Sequence, residues 1–256
     1  MARPHILTAQ SNAQVDTAQK QFGTGSFLSD HTGDTRISTP DDSDFAFGSS
    51  NFTLEAWVRF NNATTSSGVL FHQWAGAGNR AFYLQFQPGS NVVGFQYTTD
   101  GTTAISLTFN AWDPSVDTWY HVAVVRNGSD LTLFIDGVGN GVSNISTNSI
   151  FDSTADFCIS GIPAIAEGFD GWIDEIRVSN TARYTGSFTP SATAFTNDAN
   201  TLLLVHCDGV DASTTFTDDD SVAGPAGVSK INGVATSGIS KINGASISTI
   251  SKLNGA

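Results

Sequence analysis

Acid–base chemistry needs carboxylates or imidazoles held in pairs, and this chain offers few. Its glutamates are Glu55, Glu167 and Glu175, and its histidines are His5, His31, His72, His121 and His206. Hydrolysis by two carboxylates requires both to face one gap. Asp174 and Glu175 are adjacent, so on an extended strand they point to opposite faces and form no such pair. The histidines show no metal spacing and no serine or cysteine partner pattern. His121 shares a strand face with Trp119, Ala123 and Val125, the setting of a hydrogen-bonded structural histidine. The chain is therefore expected not to be an enzyme. Binding has better candidates. Trp74 in HQWAGAGNR and Trp112 in NAWDPS sit among Gly, Asn and Asp, which read as loops, where a ring can stack on a sugar, close the edge of the fold or contact a subunit. Asp174 in WIDEIRV shares a pleat face with Trp172, Ile176 and Val178, so its carboxylate needs a partner.

Strands must position these residues. In FTLEAWVRF, Phe52, Leu54, Ala56, Val58 and Phe60 alternate with Thr53, Glu55, Trp57 and Arg59, the period of a strand with one buried face. TWYHVAVVR meets LTLFIDG through NGSD, a hairpin signal, because Asn and Gly tolerate the positive φ of the turn. With FDGWIDEIRVSNTARY and TLLLVHCDG, these stretches, in this order, resemble the laminin G-like, concanavalin A-like lectin/glucanase family over roughly residues 22–209.

The resemblance implies an all-β, two-sheet antiparallel jelly-roll sandwich. It also implies a structural Ca²⁺ between the strand carrying Asp174 and the loop FLSDHTGDTR, which offers Asp30, Asp34 and backbone carbonyls; hard oxygen ligands suit calcium. The alternative for Asp174 is to cap backbone N–H groups or to pair with an arginine. Glucanases of the family carry Glu-x-Asp-x-x-Glu on one strand, and none of the three glutamates stands in such a motif. Glu55, Arg59, Glu175 and Arg177 face away from the apolar sides of their strands and could form cross-strand ion pairs. Cys158 and Cys207 read as two small strand residues, although a bridge between them stays open.

The formal net charge is −13, and all 24 acidic residues lie at or before Asp220, which argues against a nucleic-acid partner. No apolar run is long enough for a membrane span. MARPHILTAQSNAQ has polar residues where a signal peptide has an apolar core. Beyond Asp220, VSKINGVATSG, ISKINGASIST and ISKLNGA repeat with Lys230, Lys241 and Lys252 in register. Each repeat pairs a short apolar strand with an Asn-Gly turn, too small to bury its own face, so Ile231, Ile242 and Leu253 are expected to pack against neighbouring copies; the alternative is a flexible, Ser/Gly-rich tail. The repeats resemble SKING-type ends of tailed-phage structural proteins, which implies a virion protein, a homo-oligomer (a trimer) and other virion proteins as partners, with cell-surface glycan as a further partner. The alternative is a carbohydrate-binding adhesion module at a cell surface or secreted. The division expected is an arm at 1–21, the sandwich at 22–209, a linker at 210–227 that includes Asp218, Asp219 and Asp220, and the tail at 228–256.

Overall fold

The computed structural model describes residues 4–62, 68–162 and 167–219, together with the tail strands. The strands are β1 (Thr8–Gln10), β2 (Gln14–Asp16), β3 (Ser26–Asp30), β4 (Arg36–Thr39), β5 (Phe52–Phe60), β6 (Gly68–Trp74), β7 (Arg80–Gln87) and β8 (Val92–Thr98). They continue as β9 (Ala104–Ala111), β10 (Trp119–Asn127), β11 (Asp130–Ile135), β12 (Val138–Asn144), β13 (Phe157–Ser160), β14 (Asp170–Ser179) and β15 (Thr201–Val205). A 3-10 turn at Ser43–Phe45 is the only helical element among the described residues, and no helix is long and apolar enough to cross a membrane.

Two antiparallel sheets result. One has seven strands in the order β1-β4-β13-β6-β7-β8-β9; the other runs β12-β11-β10-β5-β14-β3-β2, with β15 paired to β14. The alternation expected of β5 holds: Phe52, Leu54, Ala56, Val58 and Phe60 all enter the core between the sheets. Facing them are Phe82, Leu84, Phe86, Val93 and Phe95 from the seven-stranded sheet. Each fully buried aromatic or aliphatic side chain of this kind contributes about 1.5–3 kcal/mol. β10 and β11 pair as the hairpin expected, closed at Gly128 with φ +63. Asp136 and Gly137, both at positive φ, close the next hairpin, β11–β12.

Three expectations are corrected. In β14 the register shifts between Asp174 and Arg177, and Glu175 sits at φ +51. This extra residue inverts the alternation: Ile173, Ile176 and Val178 face the core, while Asp174 leaves the apolar face and pairs in register with Trp57. The boundaries at 21/22 and 209/210 both fall inside the sandwich. β1 and β2 are sheet strands, with Ala13 and Val15 in the core, and Phe216 is also a core residue. Asp218, expected in a solvated linker, is 3% exposed, and its Oδ1 accepts the Leu204 N–H at 3.1 Å. Of the tail, Lys230–Ile231 pairs with Val234–Ala235, and Lys241–Ile242 with Ala245–Ser246, each pair spanning an Asn-Gly. Leu253 lies outside the described residues.

Candidate functional site on the open sheet face

The outer faces of the two sheets differ. That of the eight-stranded sheet is covered by residues 180–200. Ala182, Tyr184 and Phe188 pack on Ala123, Val125 and Phe134, while Phe195 packs against Trp57 and Leu204. Beneath this strap lies a charged cluster. Arg177 and Glu55 occupy paired positions, and Arg177 Nε donates to Glu55 Oε1 at 2.8 Å. Tyr184 Oη donates to Glu55 Oε2 at 2.8 Å, and His121 Nε2 lies 3.0 Å from the same oxygen. The carboxylate can only accept, so Nε2 carries the proton; a second proton on Nδ1 would be buried without an acceptor. Burial alone would raise the Glu55 pKa, but the His121 hydrogen bond and the Arg177 charge hold it below the usual carboxylate value. Both glutamates on this face are committed to internal partners, since Glu175 accepts the Phe195 N–H at 2.6 Å and pairs with His206 Nδ1 at 2.8 Å.

On the outer face of the seven-stranded sheet Ile162 packs with Val69, Trp74 and Tyr83, and the face opens at Gln87, Gln96, Ser106 and Thr108. With Phe82, Leu84 and Phe86 inward, Tyr83, Gln85 and Gln87 point outward; Gln96 stands opposite Tyr83, and Ser106 opposite Gln96. Ser106 and Thr108 are exposed, Gln87 and Gln96 half-buried, and Tyr83 and Gln85 form the floor. Gln85 Nε2 donates to Glu167 Oε2, and Gln87 Nε2 donates to Gln85 Oε1 at 3.4 Å. Gly94, opposite Gln85, leaves the room that the Gln87 amide occupies: a Cβ there would lie 3.4 Å from Gln87 Nε2. Burial, and then the neighbouring Glu167 carboxylate, raises the Tyr83 pKa; burial raises that of Glu167. The face presents a phenol, amides that both donate and accept, and the carboxyl group of Glu167.

Trp74 borders this face. It ends β6 rather than sitting in a loop, is 9% exposed, meets Tyr83 edge-on at 4.9 Å, and carries the Arg80 guanidinium 5.2 Å above its ring. Trp112 is no exposed platform. Its ring packs edge-on against Phe60, Phe86 and Tyr120 and closes one end of the core. The alternating RAFYLQFQ of β7, with every second residue polar or phenolic, was the signal for the face that aromatic loop residues alone did not give.

Asp30, Asp34 and Asp174 are not brought together. Asp30 pairs in register with Asp170, four positions along β14 from Asp174, a separation of about 13 Å on a strand. Asp174 caps backbone groups instead: Oδ2 accepts the N–H of Gln21 and Phe22 at 2.8 and 3.1 Å, and Oδ1 accepts that of Glu175 at 2.8 Å. Asp30 accepts from Asn12 and Thr32, and Asp34 is exposed beside Arg36. These residues do not fit a calcium ion shared between them. Cys158 and Cys207 are both free and buried, and burial raises both thiol pKa values, that of Cys158 to about 12.

A second concavity, of about 440 Å³, is lined by His206, Cys207, Asp208, Thr217 and Asp219. It offers carboxylates and an imidazole and, among the described residues, no phenyl, phenol or indole ring. Its Asp208 is engaged by the Thr24 N–H and hydroxyl.

Comparison with known proteins agrees with this architecture. The model of the concanavalin A-like lectin/glucanases superfamily matches residues 31–185. Among solved structures, a Bacteroides ovatus protein described as carbohydrate binding superposes with a TM-score of 0.55 at 14% identity, over 85% of this chain and 56% of that one. The binding domain of Paraclostridial Mosquitocidal Protein 1 gives 0.53 at 14%, over 70% and 45%. The ligand-binding domain of botulinum neurotoxin serotype D, solved with N-acetylneuraminic acid, gives 0.53 at 14%, over 70% and 43%. At such identities the likeness is one of fold, and the chain spans about half the length of each of these structures. No curated protein matches the sequence.

Proposed function

This chain belongs to the concanavalin A-like lectin/glucanases superfamily, and from that premise we propose that it is a non-catalytic, lectin-like protein that binds a glycan on the open face of β7, β8 and β9. The observation that carries this reading is the group Tyr83, Gln85, Gln87 and Gln96 on the outer face of β7 and β8, with Glu167 beside Gln85. Sugar hydroxyls both donate and accept, and side-chain amides match them in both roles. The Glu167 carboxylate accepts from hydroxyls with the strength of a charge-assisted bond. Site and fold are argued separately, because one fold hosts many functions. The description of one structural neighbour as carbohydrate binding, and the N-acetylneuraminic acid in the complex of another, support the class of ligand. Glu55 and Glu175 are held in buried pairs, which supports binding over hydrolysis.

A glycan array tests this. The full chain should bind a defined subset of glycans, and the double variant Gln87→Ala/Gln96→Ala, altered at two half-exposed positions, should lose that subset while keeping its thermal midpoint. Equal binding by the variant would overturn the assignment.

A second reading concerns where the module is displayed. The repeats with Lys230, Lys241 and Lys252 in register favour a structural protein of a virion, a decoration or fibre subunit that oligomerises or attaches through its tail. The alternative is an adhesion module at a cell surface. Stable co-purification with particles would support the virion reading, and its absence would leave the adhesion module.

A further inference from the structure

His5, near the start of the described chain, enters a cleft between the 3-10 turn and the C-terminal segment. Its side chain is 5% exposed, and its ring lies 4.8 Å from that of Phe45. Asp218, whose side chain is fully buried, holds it twice: Oδ2 accepts the His5 backbone N–H at 2.7 Å and lies 2.9 Å from Nδ1. Because the carboxylate accepts, the Nδ1 proton points to Asp218, and the lone pair of the neutral imidazole is on Nε2. Asp44 Oδ2 lies 3.7 Å from that nitrogen, too far for a hydrogen bond. One ligand atom from each of His5, Asp42 and Asp44 falls within 4.8 Å of the others.

An imidazole with one nitrogen held by a buried carboxylate, and the other within reach of two further carboxylates, has the form of a metal-ligand set whose histidine is already oriented. We propose that His5, Asp42 and Asp44 bind one divalent cation of the zinc class, oriented through Asp218. One imidazole nitrogen with two carboxylate oxygens suits zinc better than calcium or magnesium, which prefer oxygen alone. At metal–ligand distances near 2.0–2.2 Å, tetrahedral ligands stand about 3.4 Å apart. The present 3.7 Å between Nε2 and Asp44 Oδ2 needs only a small rotation of the aspartate. Asp42 is already anchored, since its Oδ1 accepts the N–H of Asp44 and the hydroxyl of Ser43, both at 3.1 Å. A bound ion would join the N-terminal segment to the loop before β5, and through Asp218 to the segment that leads into the repeats.

The test is calorimetric titration of the full, chelator-treated chain with zinc sulfate alone at neutral pH. The wild type should take up one ion at this site and gain thermal stability as free zinc exceeds its dissociation constant. His5→Gln and Asp44→Asn should each weaken binding at least tenfold, and Asp218→Asn, one shell out, by about 10–100-fold. Asp44→Asn leaves the His5–Asp218 contact intact, so it decides the matter even if His5→Gln disturbs the fold. No zinc uptake by the wild type at up to about 100 µM, or equal uptake by the wild type and Asp44→Asn, would overturn the proposal.

Discussion

Glu55 is the sharpest test of how the strap is held. Its carboxylate is fully buried and accepts from Arg177 Nε, Tyr184 Oη and His121 Nε2, with Arg183 Nε 3.8 Å away. Glu55→Gln keeps the shape, removes the charge, and leaves the Arg177 guanidinium, 8% exposed, without its counter-ion. Removing one partner of a buried pair costs about 3–5 kcal/mol. The retained amide oxygen places this change at the lower end, about 3 kcal/mol, and for a domain of this size each kcal/mol moves the midpoint by about 2–4 °C. Thermal unfolding followed by circular dichroism should therefore show a fall of roughly 6–12 °C. The double variant Glu55→Leu/Arg177→Met, which deletes both charges, should recover much of the loss relative to Glu55→Leu alone, because no uncompensated ion remains. A fall of less than about 2 °C for Glu55→Gln would refute the view that this cluster anchors the strap.

Burial, reinforced by the Glu175 charge, pushes the Asp174 carboxyl up to about 7 against the backbone N–H groups of Phe22 and Gln21. A raised carboxylate is protonated in the folded chain where the unfolded chain is ionised, so its contribution to stability is lost as pH rises from about 4 to about 7; Asp174→Asn should flatten the decline of the thermal midpoint across that window, and an unchanged slope would contradict the assignment. Gly137 sits at φ +76, and a Cβ there would fall 1.9 Å from the Phe188 carbonyl oxygen. Gly137→Ala should thus destabilise by at least about 2 kcal/mol in urea unfolding. Deleting residues 226–256 should leave the circular-dichroism spectrum of the sandwich intact while light scattering reports a shift from oligomer towards monomer; an unchanged mass would mean that the repeats do not hold copies together.

Much of this fold was legible in short patterns. β5 reads directly, because a strand with one core face must alternate, and Asn-Gly at 127–128 marks the β10–β11 hairpin through the positive φ that Gly128 adopts. β14 misled. Its bulge at Glu175 adds one residue to the pleat, and period-two reasoning placed Asp174 with Ile176 and Val178 when it stands on the opposite face. No local signal marks a bulge there, because the partner strand imposes the register. Asp218 misled for a related reason: a run of aspartates reads as solvated, but His5 and the Leu204 N–H, distant in sequence, satisfy it in the interior. The open face was recoverable from RAFYLQFQ, yet its accessibility depends on a strap that covers the other sheet, a long-range fact. The cross-strand pair of Glu55 and Arg177 was readable because both residues lie off the apolar sides of strands that the family pairs.

The central claim is that glycan binds on β7, β8 and β9, and amide chemical-shift mapping with an array-selected glycan tests it most directly. The account predicts that the largest shifts fall on Tyr83, Gln85, Gln87, Gly94 and Gln96, with little change at His206, Asp208 and Asp219. Shifts concentrated at those last three residues, with the sheet face silent, would contradict it.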